Sequence, residues 1–256
     1  MIHQSAAREA YEMDHHTNWF RFIPGYDAVG DALHVHDVHH VFAGGLVMII
    51  LLVLGLMVRG HFADTEKALI PPRTFGAVTF FELTIETIMG MMESIIGKDY
   101  KRYVPVIGTC GLFILLSNLM GLIPGFATPN DNINTTAACS LVVWLYFNYH
   151  GLRVHGIGHI THLLNPTGEW WGWFLTPLVG TVEVISLFAR CLTLALRLMV
   201  NMTADHAVLF AFAGIMPLVV PLPFYAMGTL VCLIQTAVFC ILSTVYIGLH
   251  TAEADH

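Results

Sequence analysis

The 256-residue chain is 56% hydrophobic and only 11% charged, with a mean hydropathy of +0.68. A soluble domain carries about 25% charged residues, so this chain has too little polar surface to face water all round. It reads as an all-α polytopic membrane protein. The formal net charge of -7 lies mostly outside the apolar runs and gives no case for nucleic-acid binding.

Residues 1–40 are polar and rich in histidine, with Trp19, Phe20 and Phe22 near their middle. They read as an extracytoplasmic tail with an interfacial anchor, preceding a single integral domain over 41–256. Glu9, Glu12, Asp14, Asp27, Asp31 and Asp37 outnumber Arg8 and Arg21. That balance fits neither a secretory signal nor a transit peptide, so insertion through the chain's own spans is expected. Val41 to Val58 is an uncharged run closed by Arg59, long enough to cross a bilayer.

After Pro71 and Pro72 comes an apolar segment, Thr74 to Gly97, carrying Glu82, Glu86 and Glu93. Spacings of four and seven put the three carboxylates on one helical face, which predicts an amphipathic helix along the membrane interface. Pro105 opens a span to about Leu122 that contains Ser117 and Asn118. Residues 124–134 carry every turn signal, and a further span is predicted over 135–149. Histidines 150, 155, 159 and 162 follow in a polar connection. Trp170, Trp171 and Trp173 form an aromatic belt before the next helix. Lys and Arg cluster between Arg59 and Arg102, and Arg153 follows later, while the 124–134 loop has none. The positive-inside rule makes the first group and Arg153 cytoplasmic and the loop external.

The last part is a hairpin, 174–216 and 224–249, with Pro217, Pro221 and Pro223 at its turn. A continuous helix over 174–216 would extend about 65 Å, twice the roughly 30 Å of hydrocarbon, so it must break or tilt. Five membrane-inserted helices and one interfacial helix are thus expected. The five cysteines, Cys110, Cys139, Cys191, Cys232 and Cys240, sit in apolar segments without a CxxC pair and read as packing residues.

Arg197 stands at the centre of the first hairpin helix, where a guanidinium costs roughly 3 kcal/mol to insert. Glu183, Arg190 and Arg197 are seven residues apart and share one stripe, with Asn201 a turn beyond Arg197. A structural ion pair between Glu183 and Arg190 is the alternative to a functional stripe there. Asp205 and His206 lie on the outward side of Arg197, with His206 half a turn around the helix from it. Histidine passes protons near neutral pH. Gln235, deep in the returning helix, can bond across the hairpin to Arg197 or Asn201 or act as interhelical glue.

The pattern Thr193-x-Ala-Leu-Arg-Leu-x-Val-Asn-Met202 resembles the signature of subunit a of F-type ATP synthases. The resemblance extends to Asn118-Leu-Met-Gly-Leu-Ile-Pro124 and Leu233-Ile-Gln235, and covers essentially everything after residue 40. It implies a stator proton channel in the membrane sector, itself without ATP chemistry or cofactor, beside a ring of c subunits and b-type peripheral-stalk subunits. The bacterial plasma membrane is the expected location, with the mitochondrial inner membrane as alternative. Arg197 would face the ring carboxylate. Glu183 would belong to the cytoplasmic half-channel, Asn201, His206 and Gln235 to the outer one, and Arg190 between them; Asn118 and Asp205 join the candidates. Gly228 departs from the pattern, because a titratable partner for the residue at 206 is common there. The expectation is that Asp205 supplies the missing carboxylate.

Two rival functions draw on other features. His36-Asp-Val-His39-His40 and His155-Gly-Ile-Gly-His159 resemble the boxes of membrane di-iron oxidoreductases, but three predicted spans between them put the boxes on opposite membrane faces. No metal site is therefore expected. The second rival, an ion transporter working without a rotor, uses the same hairpin chemistry.

Overall fold

The computed structural model describes residues 38–62, 76–123, 126–155, 172–213 and 221–252. The expected N-terminal tail up to residue 37, the connection 63–75, the histidine and tryptophan stretch 156–171 and the hairpin turn 214–220 lie outside the described residues. Six α-helices are described in chain order: α1 (His39–Phe62), α2 (Ala77–Ile96), α3 (Val104–Gly121), α4 (Ile133–His155), α5 (Gly172–Ala213) and α6 (Pro221–Ala252). Short 3-10 turns at Lys98–Arg102 and Pro129–Asp131 precede α3 and α4. Among the described residues, α1, α3 and α6 contain stretches long and apolar enough to cross a membrane, at His39–Arg59, Val104–Gly121 and Leu222–Leu249. Helices α4 and α5 interrupt their apolar runs with polar and charged side chains.

The outward faces are apolar. Leu52, Leu56 and Met57 of α1 are 60–65% exposed, a surface that only hydrocarbon would wet without penalty. The chain divides into two compact units. One contains α1, Leu112–Thr135, Leu198–Thr236 and the segment up to Glu82; the other contains Leu83–Gly111, Thr136–Arg197 and Ala237–His256.

In the first unit, α1 packs Ala43 and Val47 against Met120 of α3. Its start is fastened to the loop before α4. Asn132 hydrogen-bonds His40 Nδ1 at 3.3 Å, and His39 Nε2 lies 3.8 Å from Asp131. Asn132 also begins α4, its side-chain oxygen accepting from the Asn134 N–H at 2.9 Å, which satisfies one of the helix's orphan donors.

In the second unit, α2 ends where Gly97 takes φ +80°, a left-handed stop available without strain to glycine. Glu86 and Glu93 are exposed and Glu82 half-buried, while Ile88 and Met92 on another side are buried. The glycines of α3 let α2 approach: a Cβ built on Gly108 would lie 3.5 Å from Ile85 Cδ1, and one on Gly111 would lie 3.1 Å from Ile88 Cδ1. Helix α4 continues past the apolar run 135–149 to His155. The reason is His150, which is not a loop residue but is buried with its ring 5.3 Å from Tyr103 and 4.4 Å from Tyr146. Trp144 donates from Nε1 to the Leu187 carbonyl at 3.1 Å and stacks on Phe188, which ties α4 to α5.

Helix α5 runs 42 residues without interruption. At 1.5 Å per residue it is roughly 63 Å long. Of the two options left by its length, breaking is therefore removed, and tilting keeps its apolar side chains in hydrocarbon.

A substitution at Gly111 tests the packing of the second unit. A Cβ there would stand 2.7 Å from Cys240 Sγ. Gly111→Ala is expected to lower stability by about 1–3 kcal/mol through overpacking. The thermal midpoint of the detergent-solubilised protein should fall, and Cys240→Ala in the same chain should recover it.

Candidate proton-translocation site

Helix α5 carries most of the candidates, and each meets a different environment. Arg197 is exposed, and among the described residues it has no hydrogen-bond or ion-pair partner. Thr193, one turn earlier on nearly the same stripe, is also exposed; its hydroxyl donates to the Ala189 carbonyl at 2.7 Å and so presents little polarity outward. The guanidinium, always charged, thus projects from an exposed part of the helix surface.

Arg190 shares that stripe but is half-buried, and its guanidinium sits over the Tyr246 ring of α6 at 5.5 Å. A cation–π contact of this kind is worth about 0.5–2 kcal/mol. Tyr246 gives Arg190 a structural partner that residue spacing on α5 could not reveal. Glu183 lies on α5, and its side chain is outside the described residues.

Asn201 and Gln235 are brought together. Asn201 Nδ2 donates to Gln235 Oε1 at 2.7 Å, joining α5 to α6, and Gln235 is buried. Of the two cross-hairpin partners expected for Gln235, Asn201 is the one it meets. Asp205 follows one turn after Asn201. It is half-buried, within electrostatic reach of His206 and of the Cys232 thiol on α6, and its Oδ2 is buried with no hydrogen-bond partner.

His206 turns elsewhere. Nine residues along an unbroken helix is half a turn from Arg197. Its imidazole lies against the end of α3: a Cβ built on Gly121 would meet His206 Nε2 at 2.8 Å and Thr128 Cβ at 3.0 Å. Gly121 is required by this close approach. Gly228, the departure on α6, does not leave an opening. A Cβ there would lie 2.9 Å from Leu122 Cδ2, so Leu122 fills the place of a titratable side chain.

Asn118 belongs to a buried polar group that turn chemistry assembles. Thr128 caps the 3-10 turn, accepting from the Asn130 N–H at 3.4 Å and donating to the Ser117 carbonyl at 2.8 Å. Asn130 Nδ2 then donates to Asn118 Oδ1 at 2.7 Å. All four residues are fully buried, yet Ser117 Oγ, Asn118 Nδ2 and Asn130 Oδ1 have no protein partner. Each such atom costs about 1–3 kcal/mol if nothing satisfies it. Sequence reasoning does not single out Thr128, Asn130, Gly121 or Tyr246. Only the turn signals at 124–134 point near the first two. Among the described residues, no group of three or more His, Cys, Asp or Glu side chains is arranged to hold a metal.

Comparison with known proteins identifies the family. A family model described as ATP synthase A chain matches residues 43–248. ATP synthase subunit a of Sorangium cellulosum is 40% identical over 217 residues, covering 84% of this chain and 83% of that protein. The Bdellovibrio bacteriovorus subunit a is 34% identical over 240 residues, 93% and 99% of the two chains. That of Geobacter sulfurreducens is 40% identical over 209 residues, 82% and 86%. With a match over most of its length and relatives of this similarity, the chain belongs to the ATP synthase A chain family.

Proposed function

We propose that this chain is the stator subunit of an F-type ATP synthase that carries protons through two offset half-channels and drives a ring of c subunits with Arg197. Family membership supports its place in the synthase complex and in a membrane. The ring and the b-type stalk as direct neighbours, and a bacterial plasma membrane, are part of the proposal; the relatives named above are bacterial. The single observation that carries the mechanism is an exposed Arg197 without an internal anion among the described residues.

Charge energetics supply the rest. A ring carboxylate that faces lipid must be protonated, because an ion in hydrocarbon is expensive. Opposite Arg197 the anion is favoured, so a proton leaves into one half-channel and another enters from the other. The arginine keeps its own proton throughout and blocks direct passage between the half-channels. Each proton moving down 100 mV releases about 2.3 kcal/mol, which biases rotation in one direction. Glu183 would serve the cytoplasmic half-channel, and Asn201, Gln235, Asp205, His206 and Asn118 the outer one. Arg190, on Tyr246, would hold the helices together between them.

Asp205 would supply the titratable group that Gly228 lacks. It lies within electrostatic range of Cys232, one turn from Gly228 on α6, and of His206.

Three measurements follow. Arg197→Ala is expected to abolish ATP-driven proton pumping in inverted vesicles; retained pumping would refute the mechanism. Asp205→Asn should slow pumping by about tenfold, in the lower range for a group assisting proton transfer. An unchanged rate would remove Asp205 from the path. Gly228→His should lower the amount of assembled complex because Leu122 occupies the space, and adding Leu122→Ala should raise it again.

A further inference from the structure

We propose that Tyr246 is a positioning residue for proton-driven rotation: its aromatic face holds the Arg190 guanidinium against α6, so that of two arginines on one stripe of α5 only Arg197 meets the c-ring carboxylate. The proposal rests on the proton-translocating reading above and names what keeps a second permanent charge out of that reaction.

The need for such a device follows from the helix. Arg190 and Arg197 stand seven residues apart on the unbroken α5, about 10 Å along its axis and about 20° around it. Because α5 is roughly twice as long as hydrocarbon is thick, a step of about 10 Å along it changes membrane depth by only about 5 Å. Two outward guanidinia would therefore both come within reach of a carboxylate moving past. A guanidinium keeps its proton at any working pH, so only geometry can take it out of play. A pair of such cations would favour the anion over a longer stretch than one does. The carboxylate must nevertheless recover a proton before it returns to lipid, and a second cation in its path opposes that step.

The structure withdraws one arginine and leaves the other out. Arg197 is exposed, whereas Arg190 is half-buried with its guanidinium 5.5 Å from the centre of the Tyr246 ring. Tyr246 is backed in turn by Phe147 of α4, a fully buried side chain whose ring centroid lies 6.1 Å from its own. The α5 backbone near Arg190 is tied to the same helix, because Trp144 of α4 donates to the Leu187 carbonyl at 3.1 Å. Helices α4, α5 and α6 thus meet around one cation–π contact, and all of these residues belong to the second compact unit.

An aromatic partner suits this task better than an acidic one. Its quadrupole attracts the cation without a formal charge of its own. A carboxylate in its place would put another titratable anion beside the stripe, in competition with the c-ring.

The test uses the assembled complex in inverted vesicles. Tyr246→Leu is expected to slow ATP-driven pumping per assembled complex by about tenfold, the bias that a cation–π contact of ordinary strength maintains. Tyr246→Phe keeps the aromatic face and should bring pumping back to within about twofold of the parent. A readout that a packing role would not move comes from adding Tyr246→Leu to Arg190→Gln. With no second guanidinium to release, the leucine should then cost less than about twofold relative to Arg190→Gln alone. An equal loss from Tyr246→Leu with and without Arg190 would overturn the proposal. So would parental pumping in Tyr246→Leu, or pumping in Tyr246→Phe as slow as in Tyr246→Leu. If Tyr246→Leu does not assemble, Tyr246→Met, a flexible filler without an aromatic face, replaces it in each comparison. Failure of both to assemble, with or without Arg190, would make Tyr246 a packing residue and overturn the proposal as well. Arg197→Ala separates the levels: if it stops pumping while the Tyr246 variants fail these comparisons, only the positioning role is refuted. If it pumps, the underlying reading fails.

Discussion

A permanent positive charge on the outside of an apolar helix is the constraint on which the other features depend. Arg197 has no anion within the described part of its own chain, and inserting it costs roughly 3 kcal/mol. A structural ion pair would have removed that cost internally. Arg190, on the same stripe, is half-buried and set over an aromatic ring. Two arginines seven residues apart on one helix thus meet different environments, one packed on an aromatic ring and one open to whatever faces the helix.

The polar side chains divide in the same way. Threonines in the helices turn their hydroxyls back to carbonyls four residues earlier, as Thr193, Thr203, Thr229, Thr236 and Thr244 do, so each polar group is sheltered by its own helix. Asn201 and Gln235 satisfy one another across the hairpin. Against this background Ser117, Asn118, Asn130 and Asp205 in one compact unit, and Ser243 in the other, hold buried polar atoms without a protein partner. In a medium without water to repair such losses, a polar group is sheltered or it lines a wet path.

Much of this is legible in the sequence because membrane insertion leaves strong marks there. Charge depletion and runs of apolar residues locate α1, α3 and α6. The glutamate spacing and Gly97 locate α2. Helix α4 extends beyond its expected end because His150, polar by type, is buried between tyrosines that lie in other turns and segments of the chain. Gly228 reads as a gap, and Leu122 fills it. Thr128 and Asn130 look like ordinary turn residues until Ser117 and Asn118 are seen beside them. In each case the missing information is a contact between residues separated in sequence, which neither periodicity nor composition encodes.

The sequence by itself determined the medium, the helical class, the family and the placing of Arg197 on a stripe with Glu183, Arg190 and Asn201. Hydrophobic transfer and the helical repeat are local or additive, so they can be read residue by residue. The tertiary structure decided which polar groups find each other: Asn201 with Gln235, Arg190 with Tyr246, Asn118 with Asn130, and His206 with the space above Gly121. Hydrogen bonds and close packing act only over a few ångströms. Which side chains come within that reach is fixed by how the helices cross, and not by their order along the chain.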